Sequence, residues 1–247
     1  MSFPLQIFCL VLIYLASFIS SYLLGSISWA IIISKYFYHI DITKVGSGNA
    51  GGTNVGRYCG KKAAYAVIAL DVLKTIIATW GWFFIVSCTP IKDFIYNINP
   101  NIPLSSIYYL AGLSTAIGHS YSIFNHFKGG KCVSCYGGFC LCTNYMLAII
   151  GISIFLIVFF IRKRVSLSSV IGVCCVLLVS LVCGIINIYF PNQLEWMYYF
   201  NNSLRLDPSY VHTIFIFVFT VLVVLKHRSN IKRLVNNTEP ETHYKKD

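Results

Sequence analysis

Charge is scarce in this 247-residue chain: 11% of its residues are Asp, Glu, Lys or Arg, and eight are acidic. A soluble domain carries about 25% charge, so that class is excluded. From Met1 through Ile33 there is no charged residue at all. A cleaved leader has a short apolar core behind a basic start, and this segment has neither, so it reads as a first spanning helix. Also missing are a Gly-x-Ser-x-Gly elbow, a Ser-His-Asp order and paired intramembrane carboxylates, which argues against a lipase and against a proton-driven carrier.

Apolar residues make up 57% of the chain. A span needs about 20 of them in a row, and the qualifying runs are 5–33, 63–88, 104–124, 136–161, 167–190 and 209–225. Small residues at Ser20, Ser21, Gly25, Ser26 and Ser28 offer the first run a face for close helix approach. Ten cysteines are present, but Cys9, Cys88, Cys174, Cys175 and Cys183 lie in or beside apolar runs, where Cys packs as a small hydrophobe.

The formal charge of +11 is unevenly placed. Lys35, Lys44, Arg57, Lys61 and Lys62 share one loop with Asp41; Lys128 and Lys131 lie in a second. Arg162, Lys163 and Arg164 form a cluster, and bases also dominate from Lys226 onward. Segments 89–103 and 191–208 carry no positive excess. This is the pattern that orients a membrane protein, not a nucleic-acid surface. If all four basic segments face the cytoplasm, 136–161 must leave that side and return, as two short helices turning near Ile150–Gly151; the alternative is one ordinary helix. The expected fold is an all-α polytopic membrane protein with about seven transmembrane helices, two of them short, the N-terminus outside and the C-terminus cytoplasmic. One domain is expected over 1–235, followed by a short, mobile polar tail over 236–247.

Three segments carry chemistry. The first, Lys44 to Arg57, has five glycines among fourteen residues, with donors at Ser47, Asn49, Thr53, Asn54 and Arg57. A backbone free to adopt positive φ, beside an arginine fork, suits phosphate or carboxylate. No strand precedes it, so it is not a dinucleotide fingerprint. The second is Gly118-His119 followed by Phe127-Lys128-Gly129-Gly130-Lys131-Cys132. It is like a phosphate loop in part, but Asn125 stands at the first glycine position and Cys132 at the magnesium-binding hydroxyl, so nucleotide hydrolysis is not expected. The third, His227-Arg228-Ser229-Asn230-Ile231-Lys232-Arg233-Leu234, follows the last span; in a continuing helix His227 and Asn230 share a face, as do Asn230 and Arg233.

Asp71 and Lys74, three apart in the second run, can meet on one face and brace the bundle. His212 reads as a packed residue. Cys132-x-x-Cys135 and Cys140-x-Cys142 have no supporting His pattern for zinc.

At these motifs the chain resembles the bacterial acyl-phosphate:glycerol-3-phosphate acyltransferases, the PlsY family, over nearly its whole length. The resemblance implies a multi-pass bacterial inner-membrane enzyme whose active site faces the cytoplasm. It implies transfer of an acyl group from acyl phosphate to the 1-hydroxyl of glycerol 3-phosphate, giving lysophosphatidic acid and phosphate without cofactor or metal. Ser47, Arg57, Lys131, His227 and Asn230 would be catalytic, with Arg57 and Lys131 clamping phosphate and His227 and Asn230 orienting glycerol 3-phosphate. Asn49, Thr53, Asn54, His119, Lys128, Gly129 and Gly130 would bind substrate, the glycine pair holding the acyl-phosphate head. His227 as base and proton uptake by a substrate phosphate are both open, and Ser47 as nucleophile is a lesser reading. Partners are the two substrates and membrane lipid; no nucleic acid and no obligate protein partner is implied. The chain departs from the pattern at Cys132, Ser134-Cys135, Ser229, Thr75 and Tyr121-Ser122. Competing classes are a transporter of a phosphorylated solute and a noncatalytic acyl-phosphate binder.

Overall fold

The structure, a computed structural model, describes residues 2–190, 194, 197 and 210–245. It is helical, as expected: α1 (Phe3–Ser26), α2 (Trp29–Tyr38), α3 (Gly52–Cys59), α4 (Lys61–Ser87), α5 (Ile91–Ile98), α6 (Ser105–Ser120), α7 (Val133–Thr143), α8 (Tyr145–Arg162), α9 (Val165–Tyr189), α10 (Tyr210–Lys226) and α11 (Arg228–Val235). Most of the 191–208 loop lies outside the described residues.

Among the described residues, four stretches are long and apolar enough to cross a bilayer: Phe3–Tyr38, Lys61–Ser87, Tyr145–Arg162 and Val165–Tyr189. Counting the bent pair Tyr210–Lys226 and Arg228–Val235 as one makes five. This corrects the expectation of seven: α6 has 16 residues and α7 has 11, below the length of a lone span.

The first apolar run breaks at Ile27–Ser28, where the Ser28 hydroxyl accepts from Ile31 N at 3.5 Å and starts α2. Its small residues do admit another helix. Ser17, Ser21, Gly25 and Ser26 are buried, Ser17 Oγ donates to Ile107 O of α6 at 2.9 Å, and Gly25 lies flat against the Thr115 backbone.

The run 136–161 is divided, but not at Ile150–Gly151. The break is at Asn144, which is extended (φ −146, ψ 101) and whose side-chain oxygen caps α8 by accepting from Leu147 N at 3.0 Å. Asn competes well for backbone donors at such a position, so the residue explains the break. Gly151 instead sits inside α8, where a β-carbon would come within 2.9 Å of Val176 on α9. The core is aromatic: Tyr109, Phe139 and Phe219 are fully buried, and the His212 ring stacks on Phe139 at 5.7 Å.

Two further expectations need correction. The helix behind the last span bends by 62° at His227 and does not run straight on. The tail beyond 235 is not loose through residue 245: Thr242 N donates to Lys163 O at 2.8 Å and Lys245 N to Gly56 O at 3.0 Å. It straps the α8–α9 turn to α3.

Candidate active site

The first motif is half loop and half helix. Gly46 (φ +57) and Gly48 (φ +66) make the turns that residues with a β-carbon rarely adopt. Asn54, on α3 and 2% exposed, organises that loop: its amide donates to Ile42 O, Val45 O and Asn49 O at 3.1, 3.1 and 3.3 Å, and its oxygen accepts from Ser47 N at 3.3 Å. Both amide protons and the side-chain oxygen are thus engaged with backbone, which makes it a loop brace. Arg57, one helical turn further on, lines the same cavity and makes no protein hydrogen bond among the described residues.

The second motif folds against the end of α6. Gly130 N donates to His119 O at 3.0 Å, and β-carbons on Gly129 and Gly130 would lie about 2.1 Å from His119 O and Nε2 respectively, so both positions require glycine. The Gly130 N–H is therefore not free for an anion. Unpaired donors come instead from the first turn of α7, where Val133 and Ser134 line the cavity beside Lys131. Lys128 is exposed at the surface and is not brought into the cavity, and Gly129 is not part of its wall. Cys132 sits at φ +52, fully buried; burial pushes its thiol up to about 12, so it is no thiolate ligand near neutral pH.

The bend at His227 turns the third motif toward the other two. Lys131 Nζ donates to Asn230 Oδ1 at 2.6 Å, and Asn230 Nδ2 donates to Glu239 Oε1 at 2.7 Å. Arg233 Nε and Ser166 Oγ complete the shell of Glu239 at 2.7 and 2.6 Å. Burial pushes Glu239 upward, but the hydrogen bonds from Ser166, Asn230 and Arg233 outweigh it and hold the carboxyl below its ordinary range. Burial pulls the Lys131 ammonium down to about 8, opposed by Glu239 and aided by Arg233 and Arg57. The His227 Nδ1 lies 2.8 Å from Val223 O, which accepts only if that nitrogen carries the proton. The Nε2 lone pair is then left as an acceptor.

These residues meet in one cavity of about 390 Å³. Its polar end holds Ser47, Asn49, Thr53, Asn54, Arg57, His119, Gly130, Lys131, His227 and Asn230; its other end runs between α7, α8 and α9 past Tyr136, Leu147, Gly151 and Val176. Glu239 was not foreseen. A carboxylate three residues into a polar tail carries no local signal, and its role follows only from the strap. Among the described residues no three His, Cys, Asp or Glu side chains converge as a metal site.

A cationic, donor-rich head continuous with an apolar groove defines a membrane enzyme that handles an anionic amphiphile. A family model described as glycerol-3-phosphate acyltransferase matches residues 15–237, and the chain belongs to that family of membrane acyltransferases. It is 32% identical to a glycerol-3-phosphate acyltransferase of Ureaplasma parvum over 96% of this chain and 93% of that one. It is 36% identical to the one from Mycoplasma mycoides, over 95% and 94%. The crystal structure of the integral membrane glycerol 3-phosphate acyltransferase PlsY in its glycerol 3-phosphate form superposes with a TM-score of 0.72 at 28% identity, covering 93% of this chain and 96% of that one. Its lysophosphatidic acid form gives 0.70.

Proposed function

We propose that the protein transfers a fatty acyl group from acyl phosphate to the 1-hydroxyl of glycerol 3-phosphate, releasing lysophosphatidic acid and phosphate. The observation that carries this reading is the single cavity in which Arg57 and Lys131 stand over one end and a helix-lined apolar groove forms the other. Cationic and donor groups beside an apolar lining suit a phosphate head with an acyl tail.

In this reading Arg57, Lys131 and the N-terminal amides of α7 neutralise the phosphate groups, while Ser47, Asn49 and Thr53 line the loop side and Asn54 braces it. The glycerol hydroxyl attacks the acyl carbon, the bond from that carbon to phosphate oxygen breaks, and phosphate leaves with the electron pair. The hydroxyl proton goes to a phosphate oxygen. His227 accepts a hydrogen bond at Nε2 and aligns the hydroxyl. It is a poor proton sink because burial, followed by the nearby Lys131 cation, pulls its imidazole down to about 4, although the hydrogen bond to Val223 O and the Glu239 carboxylate work the other way. Acyl phosphate is already activated, so neither a covalent intermediate on Ser47 nor a metal is needed.

The membrane arrangement that suits this chemistry has the N-terminus outside and the C-terminus cytoplasmic, in a bacterial inner membrane. All three motifs then face the cytoplasm, where glycerol 3-phosphate is soluble. The catalytic unit is 1–235, with the tail strapped over it.

Donor choice tests the reading. Purified protein should make labelled lysophosphatidic acid from labelled glycerol 3-phosphate and palmitoyl phosphate, and none from palmitoyl thioesters. Product from the thioester alone would contradict it.

A further inference from the structure

Arg57 rides on α3, a helix of eight residues. A helix that short holds its place only by packing against something else. On one side it rests on α4, where a β-carbon at Gly52 would meet Ile68 at 2.7 Å. Its second support comes from the tail, almost two hundred residues further along the chain in order of magnitude, about 190 from Arg57 to Lys245.

Gly60 leaves α3 at φ +93, and the last carbonyls of a helix have no partner within it. Lys245 N supplies one by donating to Gly56 O at 3.0 Å. The half-buried Tyr244 ring packs directly on the same residue: a β-carbon at Gly56 would stand 2.6 and 2.7 Å from its Cδ1 and Cε1. The Tyr244 hydroxyl also hydrogen-bonds the side chain of Thr53, one turn back from Arg57. Thr53 and Arg57 both line the cavity, as do Glu239, Pro240 and Thr242 of the tail, whereas Tyr244 does not. The tail is thus cavity wall first and mooring for α3 beyond it. Arg57 makes no protein hydrogen bond among the described residues, so the placement of α3 is what fixes its guanidinium.

We propose that Tyr244 is a positioning residue: seated on Gly56 and bonded to Thr53, it holds α3 so that Arg57 stays at the polar end of the cavity. Because Tyr244 does not reach the cavity, its effect on substrate passes through α3. Gly56 is the socket for the ring, which is why that helical position has no side chain. This deepens the acyltransfer reading and rests on it for the identity of the phosphate that Arg57 meets.

Two measurements on the full chain in detergent test the assignment. Hydrogen exchange reads the mooring without ligand: the α3 amides should exchange at least about tenfold faster in Tyr244→Ala than in the wild type. Calorimetry with glycerol 3-phosphate reads its consequence. Tyr244→Ala should weaken binding about tenfold, the size of one misplaced charge-assisted hydrogen bond, and Tyr244→Phe, which keeps the ring on Gly56, by no more than about threefold. His243, exposed and paired with Glu241 at the surface, is the control, and His243→Ala should change neither readout.

Gly56→Ala is the reciprocal test. Alanine ordinarily favours a helix interior over glycine, but here its β-carbon displaces the ring, so binding should again weaken about tenfold. Both changes undo one contact, so the double variant should bind no more than about threefold worse than either single one. Losses that multiply in the double variant, or wild-type α3 exchange and affinity in Tyr244→Ala, overturn the proposal; the latter is the result expected of a tail that only adds stability. Absence of glycerol 3-phosphate binding or of turnover in the wild type counts against the acyltransfer reading alone, since α3 exchange is read without either.

Discussion

Asn230 joins Lys131 to a carboxylate in the tail: its oxygen accepts from Lys131 at 2.6 Å while its amide donates to Glu239 at 2.7 Å. The orientation of Asn230 is fixed by this division of roles, because a flipped amide would aim its donors at an ammonium. A residue outside all three motifs thus sets the geometry inside them.

Replacing Glu239 by Ala leaves Asn230, Arg233 and Ser166 donors without an acceptor in a site 6% exposed. Breaking such a shell costs about 3 kcal/mol. Thermal unfolding in detergent should fall accordingly, and kcat/KM should drop by at least about tenfold even where folded protein is recovered. Glu239→Asp, one methylene shorter, should fall between.

Lys131 gives a pH dependence with a definite sign. Its ammonium is already lowered to about 8, so the cation is present below that pH and lost as pH rises through it. Affinity for phosphate substrates should therefore decline on the alkaline side of about 8. Glu239 holds Lys131 up, so Glu239→Gln should move this limb to lower pH. Bound phosphate favours the charged form, so the limb in kcat should lie above that in kcat/KM. Steady-state profiles from pH 6 to 10 check both.

How much of this was legible beforehand differs by element. The helical membrane class and the three motifs could be read directly, since long apolar runs and dense glycine each have few physical explanations. The division of 136–161 was legible in kind, from charge placement, but its position was assigned to Gly151 when Asn144 is the better cap. The strap was hidden: Glu239, Thr242 and Lys245 act through partners at 166, 163 and 56, distances along the chain that no local pattern encodes. The Asp71–Lys74 pairing followed from i, i+3 spacing, whereas its link to His119 on another helix did not.

The first loop offers a graded test. Gly48→Ala forces a positive φ on a residue with a β-carbon and should cost about 1 kcal/mol. Gly46→Ala adds a clash, since its β-carbon would meet Asn54 Oδ1 at 2.5 Å and displace the loop brace. Activity should fall far more for Gly46→Ala than for Gly48→Ala; equal effects would count against the bracing role of Asn54.

Gly151 borders the apolar groove next to Val176. Gly151→Leu should obstruct that groove and penalise palmitoyl phosphate more than octanoyl phosphate, as seen in the ratio of kcat/KM for the two donors. A uniform loss for both would place the acyl chain elsewhere.

The central claim is that Arg57 and Lys131 head a cavity that performs acyl transfer from acyl phosphate. Phosphate release from palmitoyl phosphate should be followed with and without glycerol 3-phosphate, for the wild type and for Arg57→Ala. The account predicts release that depends on glycerol 3-phosphate, an equal amount of lysophosphatidic acid, and loss of about a hundredfold or more in the variant. No product from folded wild-type protein across several acyl lengths, or full activity in Arg57→Ala, would contradict it.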